Sequence, residues 1–193
     1  MATLFDSITQ HHRDWIARQA MFFVGTAPLS ADGHVNVSPK GPIGSFGVID
    51  DHTVAYLDVN GSGIETIGHL RENGRIVIMF CAFDGPPRIL RLHGRGEAIF
   101  PGDERFAALQ AQLRLENLSI DEAQRALILV QVTRIADSCG YGVPLMSYEG
   151  MRPHHAASSA KKVRVKGVDG YRDLQRVRGA RTIDGLPAFA GAP

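Results

Sequence analysis

The residues best suited to chemistry form a glycine-rich loop, DVNGSGIET at positions 58–66, between a predicted strand and a predicted helix. Ser62 and Glu65 have the spacing of a capping box, and the two glycines let a bulky anion approach the backbone. Free N–H groups and the helix dipole favour an anion there, and Thr66 adds a hydroxyl. The loop is therefore interpreted as a phosphate site, with a tight turn before a capped helix as the alternative. It is neither a P-loop nor a GxGxxG fingerprint.

A second candidate lies upstream, where His34 begins an alternating strand that two prolines interrupt. Pro39 removes a backbone donor and Gly41 opens space, so the strand is predicted to break there. A broken strand frees N–H and C=O groups to meet the polar edge of a planar heterocycle, and Lys40 supplies positive charge beside it. A β-bulge with a solvated lysine is the alternative interpretation.

Other reactive residue types do not form the pattern of a catalytic or metal site. The pairs at 11–12 and 154–155 are histidines without a carboxylate or cysteine at ligand spacing, so no metal is expected. Cys81 lies in an apolar strand, and Cys139 has no activating neighbour. The basic run at 161–166 lacks the interleaved aromatic residues of a base-stacking surface, so nucleic acid is not expected. A solvated or interface-pairing face is the preferred interpretation of that run.

The elements that must position the two candidate segments are mainly strands. Six are predicted in the first 140 residues, at 21–26, 34–38, 53–59, 75–83, 88–100 and 127–135. The connections are short, which favours antiparallel pairing, and closure into a barrel removes exposed edges. The predicted fold class is mainly β with flanking helices: a six-stranded antiparallel barrel.

Helices are predicted around the strands. The first lies at the N-terminus, with Ser7 and Gln10 as a capping box. Further helices are predicted at 62–73, stopped by Asn73-Gly74, at 103–115, and as a short helix capped by Ser119. Three segments follow: an N-terminal helix at 1–20, a barrel domain at 21–138, and an extended basic arm at 139–193 with a short helix near 171–177. The arm is expected to pack on the barrel or on a partner subunit.

The composition is that of a globular protein. The chain has 193 residues, a net charge of +1 and 44% hydrophobic residues, as is usual for one globular domain. The N-terminus has no apolar stretch typical of a signal peptide, and the longest apolar run, 76–83, is too short to cross a bilayer. Two isolated cysteines fit a reducing compartment. A cytoplasmic location without membrane attachment is expected.

Several segments, taken in order, resemble the FMN-binding split barrels of the pyridoxamine 5′-phosphate oxidase-like family. They are NVSPKG at 36–41, TVAYLD at 53–58, GSGIET at 61–66, HLRENGR at 69–75, IVIMF at 76–80 and LHGRGE at 92–97. Together they cover roughly residues 20–138. CGYGVP at 139–144 and TIDGLP at 182–187 resemble an oxidase-related subgroup. The resemblance implies a split β-barrel and a homodimer with FMN at the subunit interface.

The resemblance also implies which residues contact the cofactor. The strand at 37–41 would meet the isoalloxazine ring, and the loop at 62–66 the phosphate. The implied cofactor contacts are Val37, Ser38, Pro39, Lys40, Gly41, Leu57, Asp58, Ser62, Gly63, Glu65, Thr66 and Arg88. A small-molecule substrate is expected on the exposed face of the flavin, near Tyr141, Tyr148 and Arg152.

The chain departs from the true vitamin B6 oxidase at three places. The Ser-Arg-Lys phosphate loop of that enzyme is Ser62-Gly63-Ile64 here, its C-terminal Trp and Arg-Leu-x-Pro signature is missing, and 103–117 has no Tyr/Arg/Ser set for a substrate phosphate. Pyridoxamine 5′-phosphate is therefore not the expected substrate. The missing cations would come from Lys40, Arg71, Arg88 or the partner's arm. An FMN-dependent oxidoreductase is expected; a non-catalytic flavin-binding or sensing module, or a barrel using F420 or haem, are the alternatives.

Overall fold

Eight strands form one antiparallel sheet in the computed structural model, which describes residues 2–61, 63–115 and 121–189. The strands are β1 (Thr3–Phe5), β2 (Phe22–Thr26), β3 (Asn36–Lys40), β4 (Phe46–Val48), β5 (Thr53–Val59), β6 (Arg75–Cys81), β7 (Ile89–Ile99) and β8 (Gln124–Ser138). Their order is β3-β2-β6-β7-β8-β5-β4, and β1 pairs with β8. The sheet curls into a half-barrel. The predicted fold class is confirmed, with β1 and β4 as two short strands that were not predicted.

Strand β8 is the centre of this sheet because it is long enough to pair with three others. Its fifteen residues pair with β7 and β5 and, at the C-terminal end, with β1. The register shifts at Gly94 in β7, where a side chain would collide with the carbonyl of Gln131. A glycine at that point allows the close backbone approach that bends the sheet.

The core lies inside the curl and is built from alternate residues of the strands. Phe22, Phe46, Tyr56 and Phe80 form a cluster of aromatic side chains with ring centroids 5.0–5.5 Å apart. Edge-to-face contacts of this kind stabilise the packing beyond the area they bury.

Four helices and a short 3₁₀ turn (Asp121–Ala123) surround the sheet in the described part of the chain. They are α1 (Gln10–Ile16), α2 (Glu65–Asn73), α3 (Glu104–Gln112) and α4 (His154–Arg178). The capping box of α1 uses Thr9 and His12 instead of the predicted Ser7 and Gln10. Helix α2 ends at Gly74, whose φ of 69° is the left-handed conformation expected of the Asn73-Gly74 stop. No helix among the described residues is long and apolar enough to cross a bilayer.

Two further predictions about elements are wrong. The strand at Pro39 does not break: β3 continues through Pro39, which pairs with Phe23, and ends at Lys40 before a cis Gly41–Pro42 peptide. A proline is tolerated here because β3 is an edge strand with one neighbour. The basic arm is not mainly extended, since α4 spans 25 residues and changes direction at Gly167 (φ 72°, ψ 170°). The predicted short helix at 171–177 is the second half of α4.

Candidate functional site

A cleft of about 300 Å³ lies where the ends of β3 and β5 meet the start of α2. The residues around it come from the ends of β3 and β5, from the loop after β5 and the first turn of α2, and from two positions distant in sequence. They are Ser38, Pro39, Lys40, Gly41, Leu57, Asp58, Val59, Asn60, Gly61, Gly63, Ile64, Glu65, Thr66, Arg125 and His155. The two segments singled out in the sequence therefore line one cleft.

A buried carboxylate between two cations forms one wall of the cleft. Asp58 is 1% exposed; its Oδ1 lies 2.7 Å from Nζ of Lys40 and its Oδ2 lies 2.7 Å from Nε of Arg125. Burial by itself would raise the pKa of Asp58, but the charges of Arg125 and Lys40 and their hydrogen bonds outweigh it and hold the pKa below its usual value. The group is ionised at neutral pH, and the three side chains leave one net positive charge beside the cleft.

A β-bulge places Arg125 at this position. Asp58 pairs with Ala126 and Val59 pairs with Gln124, so Arg125 is the extra residue on β8. A bulge turns its side chain out of the regular alternation. Besides contacting Asp58, Arg125 donates from Nη1 to the carbonyl of Gly63, 2.7 Å away. One guanidinium therefore links β5 to the glycine-rich loop.

The start of α2 presents backbone donors at the other side of the cleft. Its N-cap is Ile64, which offers no side-chain hydrogen bond to the first turn. The predicted capping box depends on Ser62, which lies outside the described residues. The carboxylate of Glu65 folds back toward Gly63, where a methyl group would collide with Oε2. That side chain places negative charge at the positive end of the helix dipole.

A buried hydrogen-bond network holds Thr66 at the cleft. Nδ2 of Asn36 donates to Oγ1 of Thr66 (3.2 Å) and to Oγ1 of Thr26 (3.1 Å), and Thr26 contacts Nδ1 of His69 at 3.0 Å. Burial lowers the pKa of His69, against the opposing charges of Asp184, Glu65 and Glu72. The neutral imidazole completes a link from β3 to α2, so the hydroxyl of Thr66 is fixed relative to the end of β3.

The predicted site residues fall into two groups. Nine line the cleft: Ser38, Pro39, Lys40, Gly41, Leu57, Asp58, Gly63, Glu65 and Thr66. Val37 is exposed on another surface of the sheet, together with Val35. Tyr141 and Tyr148 are exposed in the coil at 139–153, as is Arg152, and none of them lines the cleft.

The other two cations named from the sequence are also engaged elsewhere within this chain. Arg88 pairs with Asp137 at 2.6 Å and lies over the ring of Trp15, 4.7 Å from its centroid. Arg71 donates to the carbonyl of Pro187. Sequence reasoning missed Arg125 and His155, which replace them at the cleft. The local sequence holds no signal for either residue, because one depends on strand register and the other on the path of α4.

The described residues do not hold a metal-binding cluster: no three His, Cys, Asp or Glu side chains in them converge on one point. Both Cys81, which is buried, and Cys139, which is exposed, are free thiols. Burial raises the pKa of Cys81, so this thiol is a packing residue rather than a nucleophile.

Comparisons with known proteins agree with this architecture. The family model described as pyridoxamine 5′-phosphate oxidase matches residues 8–139, more than half of the chain. The pyridoxamine 5′-phosphate oxidase family protein ustO of Aspergillus flavus is 45% identical over 147 residues, which are 76% of this chain and 57% of that protein. The chain thus spans less than two thirds of the length of this curated relative.

The chain is also similar to proteins of known structure. HupZ of Group A Streptococcus is 27% identical with a TM-score of 0.51, over 66% of this chain and 91% of that one. An FMN-binding protein from Syntrophomonas wolfei is 19% identical with a TM-score of 0.49, over 70% and 85% of the two chains. Because the family model matches more than half of the chain and the fungal relative is 45% identical over 76% of it, the chain belongs to the pyridoxamine 5′-phosphate oxidase family.

Proposed function

We propose that this protein binds FMN in the cleft between β3, β5 and α2, and that it is an oxidoreductase acting on a small molecule. One observation carries the proposal: Lys40, Arg125 and the start of α2, whose N-cap Ile64 makes no side-chain hydrogen bond, line one cleft beside the edge strand β3 in a member of this family. Cations and the N–H groups of a helix start suit the phosphate. The edge of β3 offers backbone groups to a planar ring, since β2 is the one strand that pairs with it among the described residues.

The residues present fit the phosphate end of this cofactor. Lys40 and Arg125 are two cations held by the buried carboxylate of Asp58, which neutralises one of their two charges. The hydroxyl of Thr66 accepts a hydrogen bond from Asn36, which orients it. A cleft of about 300 Å³ is at the lower limit for small-molecule sites. That size suits a cleft which covers one side of the ligand, with the second subunit of a homodimer forming the other wall.

The protein's part in the reaction is binding and orientation. Bound FMN would supply the hydride or electron transfer, so no protein nucleophile is needed. Lys40 and Arg125 fix positive charge beside the ligand, the pairing with Asp58 neutralises one of these charges, and the carboxylate of Glu65 opposes the other from the start of α2. The proposed substrate is not pyridoxamine 5′-phosphate, because Gly63 and Ile64 stand where the phosphate loop of that enzyme has its two cations, and 103–117 has no Tyr/Arg/Ser set for a substrate phosphate.

The absorption spectrum and FMN titration of the purified protein test the proposal. We expect a flavin spectrum, and FMN affinity that falls about 10- to 100-fold in Arg125→Gln and less in Thr66→Val, in line with the strength of charged and neutral hydrogen bonds. Arg134→Gln is the matched control, because Arg134 is exposed on the same strand away from the cleft. A colourless protein that does not bind FMN would contradict the proposal. Reduction by NAD(P)H and reoxidation would distinguish an enzyme from a binding module.

A further inference from the structure

A second compartment of about 580 Å³ adjoins the cleft on the side of α4. It lies between the two halves of that helix and the Asn60–Gly61 loop. Its lining is rich in basic and hydroxyl side chains and consists of Asn60, Gly61, His154, His155, Ser158, Ser159, Lys162, Tyr171, Gln175 and Arg178. This compartment lies largely outside the part of the chain that matches the family model, which ends at residue 139.

The change of direction at Gly167 creates the compartment. In the first half of α4, Ser158 and Lys162 are four residues apart; in the second half, Tyr171, Gln175 and Arg178 follow at spacings of four and three. Each set occupies one helical face. The hydroxyl of Tyr171 donates to Oγ of the buried Ser159 at 3.3 Å, which ties the two faces together.

The charge of the lining has one sign. Lys162 and Arg178 are its cationic side chains, two histidines lie near them, and no carboxylate belongs to the lining. Neither Lys162 nor Arg178 forms an ion pair within the described residues. The cleft next to it differs in this respect, because its lining holds the carboxylates of Asp58 and Glu65 as well as its two cations. Unneutralised cations around a cavity favour an anionic occupant.

The cleft and the second compartment share three lining residues, and hydrogen bonds hold two of these residues in place. Asn60, Gly61 and His155 line both of them. Nε2 of His155 donates to the carbonyl of Asn60 at 2.7 Å, while Nδ2 of Asn60 donates to the carbonyl of Glu122 at 3.2 Å. A small molecule held in the second compartment is therefore next to whatever occupies the cleft.

We infer that this compartment binds the anionic group, a carboxylate or a phosphate, of a small-molecule substrate. Lys162 and Arg178 are its principal charged contacts, and Ser158 and Gln175 add neutral hydrogen bonds. The description of the ligand as a substrate rests on the proposed FMN function; the anion site itself does not. The chain would thus take an anionic substrate through a site made by α4, separate from the phosphate site at α2.

Isothermal titration of FMN-saturated protein with inorganic phosphate, and separately with succinate, tests the inference at low ionic strength. We expect saturable binding of at least one of the two anions, and the tighter one identifies the group. Binding should weaken at least tenfold in Lys162→Gln/Arg178→Gln. The matched control is Lys161→Gln/Arg176→Gln, which removes the same charge from exposed positions of α4 outside the lining and should bind as the wild type does. FMN affinity should be the same in all three proteins.

Three results would overturn the inference: no anion binding by the FMN-saturated wild type, equal weakening in both double variants, or loss of FMN affinity in Lys162→Gln/Arg178→Gln. The last would make the compartment part of the cofactor site. If the protein does not bind FMN, the same titrations use the protein as purified. Selective loss of anion binding in Lys162→Gln/Arg178→Gln then supports the anion site although the proposed FMN function fails.

Discussion

At the scale of single residues, Asp58 decides the electrostatics of the cleft. A carboxylate that is 1% exposed is costly unless its charge is compensated, and Lys40 and Arg125, with 18% and 10% of their side chains exposed, supply that compensation. The three side chains form one unit, because removal of any member leaves a buried charge without its partner. Their geometry therefore depends on all three being present in the charged form.

Replacement of Asp58 by Asn should destabilise the protein in a pH-dependent way. At pH 7 we expect a loss of about 3 kcal/mol in the free energy of unfolding. The folded-state pKa of Asp58 is lowered, so its stabilisation is complete above the unfolded-state pKa of about 3.9 and disappears as the pH falls through the folded-state value. The difference between wild type and Asp58→Asn should then be constant from about pH 5 to pH 7 and should shrink below about pH 4.

Urea denaturation across this pH range measures the difference. Asp84→Asn is the control, because Asp84 is exposed in the β6–β7 turn, and it should match the wild type. An Asp58→Asn protein as stable as the wild type at pH 7 would show that the three paired side chains contribute no net stability.

Glu65 opposes the binding of an anion in the cleft, since its carboxylate lies beside Gly63 at the start of α2. The variant Glu65→Gln should bind FMN about threefold more tightly, the effect of removing one like charge in a well-solvated site. The gain should decrease as salt increases. Fluorescence titration at low and high salt measures both effects.

The control for Glu65→Gln is Glu104→Gln, which makes the same change in the first turn of α3. Equal FMN affinities of Glu65→Gln and the wild type would place the phosphate away from α2.

The residues that could be predicted are those whose roles depend on local sequence. Lys40, Asp58, Gly63 and Thr66 line the cleft because they lie at the ends of elements whose periodicity was visible. Arg125 was missed because its position depends on a bulge in a strand pair formed by residues 67 apart. The role of Arg88 could not be read locally either, since its contacts with Trp15 and Asp137 join distant segments.

At the scale of elements, α2 is fixed by the C-terminal segment that crosses it. Thr182 and Leu186 pack against Gly68, where a side chain would collide with Cγ2 of Thr182. The segment closes on itself, because the N–H of Leu186 donates to Oγ1 of Thr182 at 3.0 Å. Arg71 adds a hydrogen bond to the carbonyl of Pro187 at 3.1 Å. A glycine in the middle of a helix is thus explained by the segment packed on it.

Gly68→Ala should destabilise the protein although alanine is the better helix former by about 1 kcal/mol. We expect a net loss of about 1–2 kcal/mol from the collision with Thr182. Gly68→Ala/Thr182→Ser should recover that loss, since serine lacks Cγ2 and keeps the hydroxyl that accepts from Leu186. Thermal and urea denaturation measure both, with Thr182→Ser alone as control. A Gly68→Ala variant more stable than the wild type would mean that the segment does not pack closely on α2.

Elements were predictable where the sequence has a clear hydrophobic periodicity or a clear signal for the end of a helix. The strands of the sheet and the stop of α2 at Gly74 have such signals. Helix α4 does not: most of its residues are exposed, and only Ser159 and Tyr171 are buried. Its sequence therefore lacks the apolar stripe that identifies a helix. The three-residue strands β1 and β4 are too short to show alternation, and their existence depends on pairing with β8 and β5.

At the scale of the whole molecule, several large apolar side chains in the coil at 139–153 are exposed in the described part of the chain. Tyr141 and Leu145 are 82% and 78% exposed, and Met146, Tyr148 and Met151 are also exposed. Several large apolar residues grouped in one exposed segment are typical of an interaction surface. The shallow cleft also needs a second wall to enclose a flavin. A second copy of the chain would account for both features.

We therefore expect a homodimer whose formation and FMN binding are linked. Sedimentation velocity should give a mass close to twice the 21.0 kDa of the chain. Tyr141→Ser/Leu145→Ser should shift the protein toward monomer and weaken FMN binding about tenfold or more, since a ligand bound at an interface loses contacts when the interface opens. Val165→Ser/Val177→Ser removes equally exposed apolar side chains from α4 and should leave both properties unchanged. A monomeric wild type that binds FMN tightly would show that one chain forms the complete site, and the exposed coil would then have another partner.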